Sequence, residues 1–89
     1  MADKIIIVED DAALAAGLGR ALASQQRDIR TCGRLEDARK LTEGSTPALI
    51  ILDVNLPDGS GYDFLKELRQ QSDVPVILLT ANDMETDIV

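Results

Sequence analysis

The chain contains no histidine and a single cysteine, Cys32. One cysteine cannot form an internal disulfide, and without histidine or further cysteine a zinc ion lacks its usual ligands. The scarcity fits a reducing cytoplasm, and Cys32 reads as a small buried hydrophobe near a strand end rather than a reactive thiol. Positive charge is scarce too: nine Lys and Arg stand against sixteen Asp and Glu, giving a net charge of -7. Such a surface repels a phosphate backbone unless basic residues gather in one patch. Here the closest group, Arg34, Arg39 and Lys40, is interrupted by Glu36 and Asp37. Nucleic-acid binding by these residues is therefore not expected. Long apolar runs are missing as well. The opening Met-Ala-Asp-Lys carries an acid and leads into only four apolar residues, Ile5 to Val8, too few for a signal-peptide core or a membrane span. The expectation is a cytoplasmic protein, neither exported nor embedded.

With 89 residues, 45% of them hydrophobic and 28% charged, the chain suits one small folded domain. A domain of this size buries only about 60% of its unfolded surface, so its stability is marginal. Neither a repeat nor a linker divides it. Ile5-Ile6-Ile7-Val8, Ala48-Leu49-Ile50-Ile51-Leu52 and Val76-Ile77-Leu78-Leu79 are short, unbroken apolar runs, the pattern of parallel strands covered on both faces. Between them the period changes. Leu14, Leu18, Ala21 and Leu22 share one face of a helix over about residues 12–24, and Leu35, Ala38 and Leu41 share a face of a shorter one. Residues 28–33 fit a weak edge strand. Pro57-Asp58-Gly59-Ser60-Gly61 is dense in turn residues, and a helix over residues 62–71 buries Phe64, Leu65 and Leu68. Residues 82–89 are expected to open a fourth helix. The alternation of strand and helix predicts an α/β fold, a doubly wound parallel sheet with right-handed crossovers.

In such sheets ligands sit outside the C-terminal ends of the strands, where strand order reverses. The residues there are Glu9-Asp10-Asp11, Asp53-Val54-Asn55 and Thr80-Ala81-Asn82. Clustered carboxylates resist joint ionisation unless a cation offsets their charge. Mg²⁺, which takes oxygen ligands from one or two carboxylates, waters and phosphate, is the natural candidate, with Asp10, Asp53 and a nearby carbonyl as its protein ligands. Asp11 is read as a helix N-cap. Asp53 has no such duty, because a turn and not a helix follows it. Thr80, at the same edge, offers a hydroxyl to a phosphate.

These three segments, in this order and at these intervals, resemble the signature segments of response-regulator receiver domains, and the resemblance covers essentially the whole chain. It implies a flavodoxin-like receiver fold with strand order 2-1-3-4. It also implies that Asp53 is the phosphoacceptor for a sensor histidine kinase. Glu9 and Asp10 would be the acidic pair that holds Mg²⁺, Asp10 directly and Glu9 mainly through water. The Asn55 backbone carbonyl completes the ligands, Thr80 is the switch hydroxyl, and Ala81 is the small residue that keeps the phosphate accessible. The wording DVNLPDGSG and LTAND is similar to regulators of the OmpR/PhoB type, which implies a transcription regulator as the parent, with DNA bound through an effector domain that is not in this chain.

Receivers of this kind carry a fifth strand, with a phosphate-binding lysine, and a fifth helix. The resemblance therefore reads residues 1–89 as the N-terminal portion of a single receiver domain, lacking both. Two expectations follow: weak or no stable phosphorylation, and a homo-oligomer formed through an exposed fourth strand or by exchange of elements. The chain is read as an acceptor and not as an enzyme. A haloacid-dehalogenase-like phosphatase would place D-x-D after the first strand, where this chain has Glu9-Asp10-Asp11. A nucleotide or flavin module would need a phosphate loop there. The remaining alternative is a non-signalling fragment that keeps the fold and metal site only.

Overall fold

The computed structural model describes residues 2–79 and 86–88. The apolar runs form the interior strands. β1 (Asp3–Val8) and β3 (Leu49–Asp53) pair side by side in parallel, flanked by β2 (Arg27–Cys32) on one side and β6 (Val76–Leu79) on the other. The parallel order is thus second, first, third and fourth, as expected. Ile6, Ile7, Val8, Ile50 and Leu52 are wholly inaccessible to solvent. Each contributes about 1.5–3 kcal/mol through burial, and the β-branched shapes of the three isoleucines and Val8 suit a pleated surface covered on both sides.

The helices divide unequally between the two faces. α1 (Ala12–Leu22) lays Ala15, Leu18 and Leu22 against Ile7, Ile51 and Ile77. α2 (Leu35–Thr42) and α3 (Gly61–Arg69) share the opposite face, where Leu35, Ala38 and Phe64 pack on Ile6, Val8, Ile50, Leu52, Val76 and Leu78. Arg39 of α2 and Glu67 of α3 pair at 3.0 Å, with the guanidinium 5.8 Å from the Phe64 ring centre. At the N-terminal ends of the strands, the Lys4 ammonium donates to the Leu41 carbonyl at 2.6 Å and to Ser45 Oγ at 2.7 Å. One lysine thereby ties β1 to the last turn of α2, where free carbonyls favour a cation.

The sequence reading needs three corrections. Leu14 stands 44% exposed, and Ala15 takes the buried place instead, so α1 meets the sheet about one residue away from the face drawn through Leu14. Residues 82–89 do not begin a helix over their described part: Thr86–Ile88 is a strand, β7, antiparallel to Ile77–Leu79 of β6. A parallel return would need a crossover of roughly a dozen residues or more, whereas an antiparallel one can follow a short connection. The backbone groups along β6 reward any strand that reaches them. For the same reason the fourth parallel strand is not an unpaired edge, contrary to expectation. Between β3 and α3, the turn-rich segment contains a small hairpin of β4 (Asn55–Leu56) and β5 (Gly59–Ser60).

Candidate metal centre

β1 feeds α1 on one face, while β3 leads through the hairpin to α3 on the other. The chain therefore leaves the two adjacent strand tips in opposite directions, and a crevice opens between them. Glu9 and Asp10 line it from β1 and Asp53 from β3. One carboxylate oxygen of each lies within 4.8 Å of the others, with Glu9 and Asp53 buried and Asp10 exposed. Parallel pairing of Ile5–Val8 with Leu49–Leu52 sets this meeting, because it brings both strands to the same level at their ends.

Burial and the adjacent Asp53 make ionised Glu9 costly. Desolvation first, then a hydrogen bond and charge repulsion with Asp53, push the Glu9 carboxyl up to about 7, against a smaller opposing contribution from the Asp11 N–H. That N–H donates to Glu9 Oε2 at 3.5 Å, and the Asn55 N–H donates to Asp53 Oδ1 at 3.3 Å. No lysine is among the groups that shift the Glu9 carboxyl. Lys4 is held at the far end of β1, where it lines a cleft of about 490 Å³ together with Lys40, and Lys66 lies in α3.

The donor set fits a hard divalent ion: three carboxylates, no nitrogen and no sulfur, with Asp10 open to water. Direct Mg²⁺ ligands lie at most about 4.2 Å apart across the ion. A spread of up to 4.8 Å therefore suits a set in which one acid reaches the metal through a water. Thr80 and Ala81, expected at the same edge, lie outside the described residues. Asp11 caps α1 as expected, its Oδ1 accepting from the Leu14 N–H at 3.1 Å. Cys32 is half-buried at the end of β2, and desolvation pushes its thiol up to about 11.

One glycine and one acid carry more than turn geometry. A Cβ on Gly61 would overlap the Asp53 carbonyl oxygen and stand 3.0 Å from Val54 Cα, so the backbone beneath the central acid admits only glycine there. The Gly61 N–H also donates to the Val54 carbonyl at 2.7 Å. On the other side of the crevice, Gly33 runs beside Asp10: a Cβ there would lie 3.4 Å from Asp10 Cα, an ordinary contact. Asp58, read as a turn residue, caps α2 from a distance: its Oδ1 accepts from the Leu35 N–H at 2.8 Å and its Oδ2 from the Glu36 N–H at 3.1 Å. The signal was present at position 34. An arginine N-cap makes no side-chain bond to its helix, so the first N–H groups must find their acceptor elsewhere.

Comparison with known proteins converges on one description. The family of the response regulator receiver domain matches residues 5–89. The chain is 44% identical over 85 residues to the KDP operon transcriptional regulatory protein KdpE of Escherichia coli, covering 93% of this chain and 37% of that protein. Against the alkaline phosphatase synthesis transcriptional regulatory protein PhoP of Bacillus subtilis, the identity is 39% over 90 residues, covering all of this chain and 38% of PhoP. The BeF3-activated N-terminal receiver domain of Klebsiella pneumoniae RstA superposes with a TM-score of 0.81 at 31% identity, over 91% of this chain and 69% of that one. The chain thus spans under two-fifths of the length of these curated relatives.

Proposed function

The chain belongs to the response regulator receiver family, and from that premise we propose that Asp53 accepts a phosphoryl group from the phosphohistidine of a sensor kinase, with Mg²⁺ held by Glu9, Asp10, Asp53 and the Asn55 carbonyl. The observation that carries the proposal is the convergence of the Glu9, Asp10 and Asp53 carboxylates within 4.8 Å at the strand-order reversal. In the transfer, an Asp53 carboxylate oxygen forms a bond to phosphorus, the phosphorus–nitrogen bond breaks, and the histidine ring keeps its electron pair. When bound, the divalent ion supplies positive charge against the oxygens that gain negative charge in the transition state. The chain's own residues position the acceptor: the Asn55 N–H fixes one Asp53 oxygen, and Gly61 lets the turn close beneath it. In this reading Thr80 and Ala81 serve as switch hydroxyl and access residue.

On this proposal the chain is an acceptor that is spent in one transfer, and not a turnover enzyme. Its parent is a cytoplasmic transcription regulator of the OmpR/PhoB type, like the relatives it matches. Self-association through β6 is not part of the proposal, because β7 already occupies Ile77–Leu79. Among the described residues no helix is long and apolar enough to cross a membrane.

Incubation with acetyl phosphate and Mg²⁺, followed by intact mass, tests the assignment. A gain of one phosphoryl group that needs Mg²⁺ and disappears in Asp53→Ala supports it. A gain that survives in Asp53→Ala overturns it. A second reading, in which the site binds metal without holding a stable phosphoryl group, rests on the three clustered acids alone. Mg²⁺ binding with no mass gain is the result that reading expects.

A further inference from the structure

We propose that Asp58 is a positioning residue for the metal centre, docking the loop that carries Asn55 onto the same helix start that packs beside Asp10. The inference rests on the reading in which the Asn55 carbonyl faces the ion. Both Asp58 oxygens are engaged, one on the Leu35 N–H and one on the Glu36 N–H, so the carboxylate is held at two points. These bonds hold the Asp58 carboxyl below its ordinary range.

A second contact links the same partners. Gly59 has φ +151°, and a Cβ there would stand 3.0 Å from the Leu35 side chain. Just before Leu35, Gly33 passes over the Asp10 backbone, and the Cys32 carbonyl accepts from the Glu9 N–H at 2.8 Å. A closed circuit results. It runs from Glu9 and Asp10 across to Gly33, into the start of α2, through Asp58 to the hairpin, and back by Asn55 to Asp53.

A cap supplied by residue 34 would satisfy the same N–H groups without touching the loop. The cap that is present joins segments 23 residues apart, and that difference gives Asp58 a consequence beyond helix stability. It fixes the hairpin, and with it the Asn55 peptide, relative to the acidic pair on the other side of the crevice.

The test separates the two roles by moving the cap. Arg34→Ser/Asp58→Ala gives α2 a local serine cap and cuts the tether. One charge of each sign is removed, so the net charge stays at -7. Urea unfolding and calorimetric Mg²⁺ titration are compared for the unchanged chain, Asp58→Ala, Asp58→Asn and the double variant. The expected result is that the double variant regains the stability lost in Asp58→Ala but binds Mg²⁺ about tenfold more weakly, in the range seen when outer-shell partners of metal ligands are removed. Asp58→Asn, which keeps one acceptor oxygen and does not depend on the new cap, should lose less. Parental Mg²⁺ affinity in the double variant, or in folded Asp58→Ala, would reduce Asp58 to a helix cap and overturn the inference. Absence of Mg²⁺ binding by the unchanged chain would instead remove the metal reading itself, and this inference with it.

Discussion

Replacing Glu9 by glutamine should stabilise the metal-free chain in neutral and alkaline solution, and have almost no effect in acid. Glu9 titrates near 7 in the folded state against an ordinary 4.5, because burial and Asp53 oppose its charge. The folded chain therefore holds this proton more tightly than the unfolded chain does. Glu9's favourable contribution is fully present below about pH 4.5 and is lost as pH rises through about 7. At 1.36 kcal/mol per unit, the full swing is about 3 kcal/mol. Solvent reaching the strand tips screens part of it, so this value is the ceiling. Glutamine is neutral at every pH and its amide can donate to Asp53 as the protonated acid does. Urea unfolding with a chelator, followed by far-ultraviolet circular dichroism, should show a gain approaching about 3 kcal/mol near pH 8 and little near pH 4. Adding Mg²⁺ should raise the midpoint of the unchanged chain more than that of the variant, because ligand binding to the folded state adds stability in proportion to its affinity. An equal effect of the substitution at both pH values, or a loss near pH 8, would refute the argument that Glu9 charge is what the site holds in check.

The same glycine-to-alanine change should have opposite signs at two positions. Gly17, inside α1, has open space where a Cβ would stand, so Gly17→Ala should raise stability by about 0.5–1 kcal/mol from helix propensity. Gly61→Ala should lower it by about 1–3 kcal/mol or more, because the new methyl meets the Asp53 and Val54 backbone, which cannot move aside without disturbing the acid. Thermal unfolding of the two variants decides it, and stabilisation by Gly61→Ala would contradict the close approach. Cys32, half-buried with its thiol pushed up to about 11, should react with a thiol reagent near pH 8 far more slowly in the folded chain than in urea; equal rates would show that the thiol is open.

Much of the fold could be read from two signals in the chain. Unbroken β-branched runs mark strands with no solvent face, and acids placed directly after two of them mark the strand tips as a cation site. Both follow from local composition, and the pairing of Ile5–Val8 with Leu49–Leu52 brought the acids together as the topology required. What escaped depended on contacts between distant segments. Leu14 has the right spacing for burial yet stands exposed, because α1 meets the sheet through Ala15, Leu18 and Leu22. Asp58 lies in a Pro-Asp-Gly turn, and nothing within that turn announces that its carboxylate serves a helix 23 positions earlier. Thr86–Ile88 showed too little pattern to outweigh the expected helix, and it is the open backbone of β6 that makes a strand of it.

The uneven cladding of the sheet sets where water enters first. Among the described residues, α2 and α3 cover one side of the sheet over the larger buried cluster, while on the other side α1 covers the smaller one and Ile77 and Leu79 remain only partly covered. Brief local openings should begin along the thinly covered side and leave the α2–α3 side closed. The acidic crevice sits between these two regimes, with Asp53 leading into the turn that α3 anchors and Glu9 leading into α1. Amide deuterium uptake should accordingly be faster along α1 than along Phe64 and its neighbours, so that one wall of the crevice breathes while the other stands still.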